Sequence, residues 1–421
     1  MQIGTNSVWQ FATASNIKFG RGSSTLTTRE LQRLEVLRPL IVTDSTVVAL
    51  QPASQLIADL RDAGFSPQIF DACVPEPAID TAKNAIEFGR AHKVDCVIGI
   101  GGGSNLDVAK MAATVLKHSG EPANYFGFDA IPGPILPLIA LPTTAGTGSE
   151  VSHSAVLTDP SAGVKVSTLS RWLRPVAAII DPALTDSCPP QVTAHSGIDA
   201  LVHAIEAYTN RDYQQMVGVD PQARAYEGSY PLARLLAAEG IRLIGRSLVQ
   251  AYQQPTDQAA RDDMALAATL AGMAFSNSGV ALVHALEYPV GALTHCSHGE
   301  GNGLLLPHVM RFNLPNNTLR LAEVARFLGV DTCDQSPEHA AEQAIAIVVE
   351  LQQAIGIRTQ LRDLGLQAEQ IPLVAQKAFQ IKRLMDVNPR RPTEQDLVRM
   401  PMACCSSTTM AMACSAACSG D

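Results

Sequence analysis

The residues best equipped for chemistry stand in two short runs. In TAHSGIDALVHAIEAYTN, residues 193–210, Asp199 and His203 lie four positions apart within a helical pattern. That spacing stacks both side chains on one helix face. A carboxylate and an imidazole converging on one point make half of a divalent-metal site. The second run, VHALEYPVGALTHCSHGEGNGLLLPH, offers His284 in a helical pattern and His298 fourteen residues later, just beyond a turn. Each pair also has a blander use. An Asp and a His at this spacing often share a surface hydrogen bond, and a lone His in an apolar helix is usually a satisfied core residue.

Phosphate chemistry is suggested elsewhere. GIGGGSNLDVAK, residues 99–110, leaves an apolar strand and enters a helix. Gly101, Gly102 and Gly103 let a ligand approach the backbone without Cβ clashes. Ser104 and Asp107 have the S-x-x-D spacing of a capping box, and a helix N-terminus is a ready pyrophosphate site. The pattern is not G-x-G-x-x-G, because Ser104 takes the last glycine position. A second turn, TTAGTGSE from Thr143 to Glu150, follows the next apolar strand. Two such loops at the carboxyl ends of parallel strands suit a dinucleotide crevice. Asp44 ends the first apolar strand in VTDS. A carboxylate there can accept hydrogen bonds from ribose hydroxyls and repel a 2′-phosphate, so NAD is expected over NADP. The same residue also suits a strand-end turn.

Taken together, GGGSNLDVAK, PTTAGTGSE, DALVH, VHA and SHG resemble the signature regions of the iron-containing (group III) alcohol dehydrogenases, over roughly residues 1–398. The resemblance implies one catalytic metal bound by Asp199, His203, His284 and His298. It also implies that Gly102, Gly103, Ser104, Asp107, Thr143, Thr144 and Thr147 contact the nicotinamide cofactor, with Lys165 near the nicotinamide ribose. Fe²⁺ is the metal expected; the ligand set also suits Zn²⁺, Mn²⁺ or Co²⁺. Such a metal acts as a Lewis acid on an alcohol or carbonyl oxygen. One departure stands out: many members carry a proton-carrying His where this chain has Tyr288. A phenol can donate a proton, with His295 or water as substitutes. The implied activity is NAD-linked oxidoreduction of a small alcohol, aldehyde or hydroxy acid. SNIKFG and ARAYEGSYPLAR resemble the hydroxyacid-oxoacid transhydrogenase branch, where Arg224 and Arg234 could meet a substrate carboxylate. A dehydroquinate-synthase-like lyase shares the two-domain plan and bound NAD, but the intact ligand pattern argues against it.

The elements that must position these residues alternate at first. An edge strand within 11–22, strands at 40–45 and 67–72, and helices at 52–64, 78–92 and 105–118 surround the strand that runs into Gly101. This order predicts an α/β dinucleotide-binding domain with a parallel sheet. Residues 151–182 look β-rich, and from about 190 the pattern is helical at 198–209, 232–254, 257–277, 279–290, 318–328, 338–355 and 367–380. The expected domains are therefore 1–184, an all-α metal-binding domain at 185–400, and an anomalous tail at 401–421.

Composition narrows the classes. The net charge of −9 carries no basic block, so nucleic acid is excluded as a partner. No apolar stretch approaches the ~20 residues that span a bilayer, and no signal-peptide pattern opens the chain, so a cytoplasmic enzyme is expected. The resemblance implies a homodimer or higher homo-oligomer. Five cysteines are scattered, as in a reduced compartment, whereas Cys404, Cys405, Cys414 and Cys418 crowd into PMACCSSTTMAMACSAACSG. That ending reads as frame-shifted or artificial, without function.

Overall fold

The chain is described by a computed structural model over residues 8–161, 164–216 and 224–403. The cysteine-rich ending and the middle of the polar loop at 210–234 lie outside the described residues.

Among the described residues of the first half there are nine strands: β1 (Ile17–Phe19), β2 (Pro39–Val42), β3 (Gln68–Phe70), β4 (Cys96–Gly101), β5 (Gly127–Phe128), β6 (Leu138–Pro142), β7 (Ser154–Asp159), β8 (Val164–Leu169) and β9 (Ala177–Ile180). Six form one sheet in the order β1-β9-β6-β4-β2-β3, with every pairing parallel. The central strands β2, β4, β6 and β9 are buried at every residue, which is why they read as unbroken apolar runs rather than alternating ones. Helices α1 (Thr27–Arg33), α2 (Ser45–Ala49), α3 (Gln51–Asp62), α4 (Ile79–Ala91) and α5 (Gly103–His118) connect the strands. A smaller sheet, β5-β8-β7, sits beside them. Its β7 was read only as part of a β-rich stretch.

Register brings the two glycine loops together. Gly101 at the end of β4 pairs with Pro142 at the end of β6, and the Thr143 N–H donates to the Gly101 carbonyl at 3.0 Å. The expected boundary at 184 falls in the turn Pro182–Thr185, between β9 and the first long helix.

From there the described residues are helical: α6 (Pro190–Thr209), α7 (Pro231–Gln253), α8 (Gln258–Ser278), α9 (Leu282–Thr294), α10 (His298–Phe327), α11 (Pro337–Ala354), α12 (Ile371–Gln380), α13 (Lys382–Val387) and α14 (Glu394–Ala403). Their apolar side chains share one core running from Ala194 to Met400. No single helix among the described residues is long and apolar enough to cross a membrane.

One expectation is corrected here. A helix was expected only at 318–328, but α10 begins twenty residues earlier, at His298, and is kinked at Asn317. Gly299, Gly301 and Gly303 hid its start, since glycine disfavours helix interiors. They are there for close packing. A Cβ on Gly299 would stand 2.0 Å from the His195 carbonyl oxygen, and one on Gly303 would stand 2.9 Å from the Ile198 side chain. The glycines thus let α10 lie against α6. That contact carries His298 to Asp199.

Candidate active site

Asp199 and His203 project from α6, His284 from the first turn of α9, and His298 opens α10. Ligating atoms of Asp199, His284 and His298 all lie within 4.8 Å of one another. His203 joins them less closely, with Nδ1 at 3.9 Å from an Asp199 oxygen. Its ring is stacked between Phe275 and His284, at 4.3 and 4.8 Å between centroids. Asp199, His203 and His284 are buried, whereas His298 leaves 32% of its side chain open to a cavity.

Carboxylates behind the imidazoles fix which nitrogen faces inward. Nδ1 of His284 donates to Glu206 at 2.7 Å, and Nδ1 of His298 donates to Glu287. Each Nε2 is left as a lone pair aimed at the centre. The amide Nδ2 of Asn302 confirms that aim. It lies 2.8 Å from Asp199 Oδ1, 3.2 Å from His284 Nε2 and 3.1 Å from His298 Nε2, so three acceptors converge on one donor. The buried Nδ1 of His203 has no hydrogen-bond partner among the described residues. A cluster of hard and borderline donors with an orphaned imidazole nitrogen fits a divalent metal.

Charge follows the same geometry. Burial pushes the Asp199 carboxyl upward, but the three histidines outweigh it and hold it below its ordinary value. Burial pulls His203 down to about 3. Burial also opposes protonation of His298, yet Glu287 and Asp199 outweigh it and raise this imidazole. Glu287 is held low despite full burial, by His298 and Lys165.

Sequence reasoning missed Glu206, Glu287 and Asn302. Glu206 and Glu287 each follow a ligand-type histidine by three positions, and Asn302 follows His298 by four. Acids within apolar helices at that spacing were the available signal.

A cavity of about 220 Å³ adjoins the cluster and reaches the glycine loops. Gly103, Ser104, Asp107, Thr147, Lys165 and Tyr288 line it together with Asp199, His203, His284 and His298 themselves. Gly101, Gly102, Thr143, Thr144 and Asp44 are not among its lining residues. Gly102 directs its Cα hydrogens at Thr144, since a Cβ there would lie 3.5 Å from that side chain. Asp44 caps α2, with one oxygen accepting from the Thr46 and Val47 N–H groups, and its other oxygen accepts from Asn105 at 2.8 Å.

The capping box is overturned. The N-cap of α5 is Gly102, so Ser104 already lies within the first turn, where its hydroxyl accepts from the Glu76 N–H. Asp107 instead takes hydrogen bonds from the Ser149 hydroxyl at 2.8 Å and the Val156 N–H at 3.0 Å, tying α5 to the second loop. Lys165 binds Glu76 at 2.9 Å and stands 3.5 Å from Glu287.

Tyr288 lies one turn beyond His284, with its ring facing that of His298 at 6.1 Å. Burial raises its phenol to about 12. His295 does not reach the site: it is an exposed residue with left-handed backbone at the end of α9. Nor does Arg234, which pairs with Asp212 at 3.1 Å, while Arg224 lies beside Glu227.

Comparison with known proteins agrees with this geometry. Residues 14–182 match the model of the iron-containing alcohol dehydrogenases, and residues 224–403 match that of the Fe-containing alcohol dehydrogenase family, C-terminal. Long-chain-alcohol dehydrogenase 1 of Geobacillus thermodenitrificans is 38% identical over 87% of this chain and 89% of its own. A solved 1,3-propanediol oxidoreductase superposes with a TM-score of 0.88 at 33% identity, covering 94% of this chain and all of that one, 100%. The sulfoacetaldehyde reductase of Bifidobacterium kashiwanohense, solved in complex with NAD⁺, gives 0.82 at 30% identity over 96% of this chain and 100% of its own. With the loops, the ligand cluster and these relatives in agreement, the chain belongs to the iron-containing alcohol dehydrogenase family.

Proposed function

We infer that the protein interconverts alcohols and aldehydes with NAD(H), using a divalent metal held by Asp199, His203, His284 and His298. The observation that carries this reading is the convergence of Asp199, His284 and His298 on one point at the wall of the cavity. Family membership favours Fe²⁺, and the relative solved with NAD⁺ supports that nucleotide. A metal held there would supply Lewis acidity toward the substrate oxygen, and a nicotinamide in the crevice would supply or take up the hydride.

The chain's own residues do the rest. Glu206 and Glu287 hold two imidazoles with Nε2 inward, which keeps their lone pairs available. Asp107 and Ser149 lock the two loops that would cradle the cofactor. Tyr288 keeps its proton at neutral pH, so it serves as a donor toward the substrate oxygen in aldehyde reduction. Phe275, Val280 and Leu157 make part of the cavity wall apolar. The oligomer is supported by the sheet edge at β1, where Phe19 is 41% exposed.

A survey of primary alcohols, diols and aldehydes with NAD(H) and NADP(H), on protein of known metal content, tests the reading. Turnover that tracks bound metal is expected. Equal turnover by metal-free protein would overturn it.

A further inference from the structure

Two cations face the cavity, and they differ in what they are bonded to. Lys165 is neutralised by Glu76 and Glu287. Arg383, from the start of α13, also lines the cavity and has no carboxylate partner among the described residues. Its Nη2 donates to the Ser167 hydroxyl at 3.3 Å, across 216 positions of sequence, and its guanidinium hydrogen-bonds the Tyr226 hydroxyl. Its Nε is buried with no partner among the described residues.

That is an unusual way to keep an arginine. A buried N–H left unmatched is destabilising. Several other part-buried arginines of the helical half have a stated partner: Arg234 and Arg320 with Asp212, and Arg390 with the Phe312 carbonyl. The neighbours of Arg383 cannot act as its counterion. Ser167, Tyr226 and Tyr288 beside it offer hydroxyl groups and no carboxylate. Tyr288 lies between Arg383 and His298, lending its ring to one side and its charge environment to the other. The cavity is thus lined both by the ligand cluster and by a guanidinium with no carboxylate partner among the described residues.

We propose that Arg383 is the anion-recognising end of the substrate cavity, so that the preferred alcohol or aldehyde carries an anionic group remote from its reacting oxygen. A guanidinium with open N–H donors matches the oxygens of a carboxylate, a sulfonate or a phosphate ester. A carboxylate is the smallest of these and takes a paired N–H contact. This inference rests on the alcohol–aldehyde reading above and adds the substrate class to it.

The test compares kcat/KM for matched aldehydes of one chain length, ending in a methyl, a carboxylate, a sulfonate or a phosphate. Wild-type protein should favour an anionic member over the neutral one, and the member preferred identifies the anion. Arg383→Gln and Arg383→Ala should lower the anionic-to-neutral ratio by roughly ten- to a hundred-fold, mainly through KM. Arg383→Lys should restore part of it. Metal content and the KM for NADH, measured on each variant, separate this role from others. No preference for an anion in the wild type, or equal losses on anionic and neutral aldehydes, would overturn the proposal. A rise in the NADH KM for all substrates would assign Arg383 to the cofactor and overturn it too. Absence of turnover with every aldehyde, neutral ones included, would instead count against the alcohol–aldehyde reading itself. In that case the wild type's binding of butyrate against butanol, followed by calorimetry with Arg383→Gln as control, still decides the anion site.

Discussion

Glu206 and His284 are joined at 2.7 Å, and the same carboxylate accepts the Val283 N–H at 2.7 Å and the Ala281 N–H at 2.8 Å. One side chain on α6 therefore both caps the start of α9 and orients the imidazole that α9 carries. Capping and ligand orientation are usually separate tasks. Here they share two oxygens, so the position of α9 and the direction of a metal-facing lone pair are set together.

Glu206→Gln should show the consequence. The amide has one acceptor where the carboxylate has two, and its NH₂ faces donors. Loss of such a supporting partner typically costs about ten- to a hundred-fold in metal affinity. Competition with a chelator, followed by metal analysis, reads this directly while nucleotide binding stays close to wild type. Unchanged metal retention in Glu206→Gln would show that His284 needs no such support.

How much of this was legible in the sequence depends on whether a relationship lies within one element or between two. Asp199 and His203 share a helix, so their spacing alone placed them on one face. The run from β4 into Gly101–Gly103 was equally local, and its unbroken apolar character announced a strand buried on both sides. The start of α10 was not legible, because three glycines argue against a helix until α6 is known to press on Gly299 and Gly303 and Glu287 of α9 on Gly301. Glu206, Glu287 and Asn302 acquire their roles only when α9 and α10 meet α6. The assumed capping box failed by register, since α5 starts two residues too early for Ser104 to cap it. Arg234 was a reasonable candidate for an anion until Asp212 was seen to hold it, whereas Arg383 gave no signal at all from 216 residues away.

The proposed preference for NAD is tested at Asp44. Its carboxylate sits at the end of β2 as the cap of α2, with its second oxygen on Asn105. Asp44→Asn keeps a good capping side chain and removes the charge, so it isolates the electrostatic effect on a 2′-phosphate. The ratio of kcat/KM for NADP to that for NAD should rise about ten-fold or more, the effect of relieving roughly 1.4 kcal/mol of repulsion. A ratio that stays put would remove Asp44 from the nucleotide site and leave it as a cap.

Acid should destabilise the helical half through His308. Burial, with Arg311 nearby, pulls this imidazole from 6.5 to about 4. Its folded value is the lower one, so between those two pH values the unfolded chain binds a proton that the folded chain does not. Stability is therefore fully present above pH 6.5 and declines as pH falls toward 4. The loss amounts to about 1–3 kcal/mol for this one group. Denaturant midpoints at about pH 7 and about pH 5 should differ less in His308→Gln than in the wild type. Parallel pH dependences would place the acid sensitivity elsewhere.

Tyr288 offers the sharpest test of proton transfer. It occupies the turn after His284, faces His298, and is raised to about 12 by burial, the Arg383 charge notwithstanding. A phenol so raised is a donor throughout the neutral range and no base. In aldehyde reduction the substrate oxygen gains a proton as hydride arrives, and a positioned donor is worth about a hundred-fold or more in rate. Tyr288→Phe keeps the ring against His298 and removes only the hydroxyl. It should lower kcat for aldehyde reduction about a hundred-fold with metal content and NADH affinity retained. Tyr288→His should recover part of the rate and introduce an alkaline decline that the wild type lacks, because an imidazole beside a guanidinium loses its proton at or below its ordinary value of about 6.5. Full activity in Tyr288→Phe would show that water, not the phenol, delivers the proton.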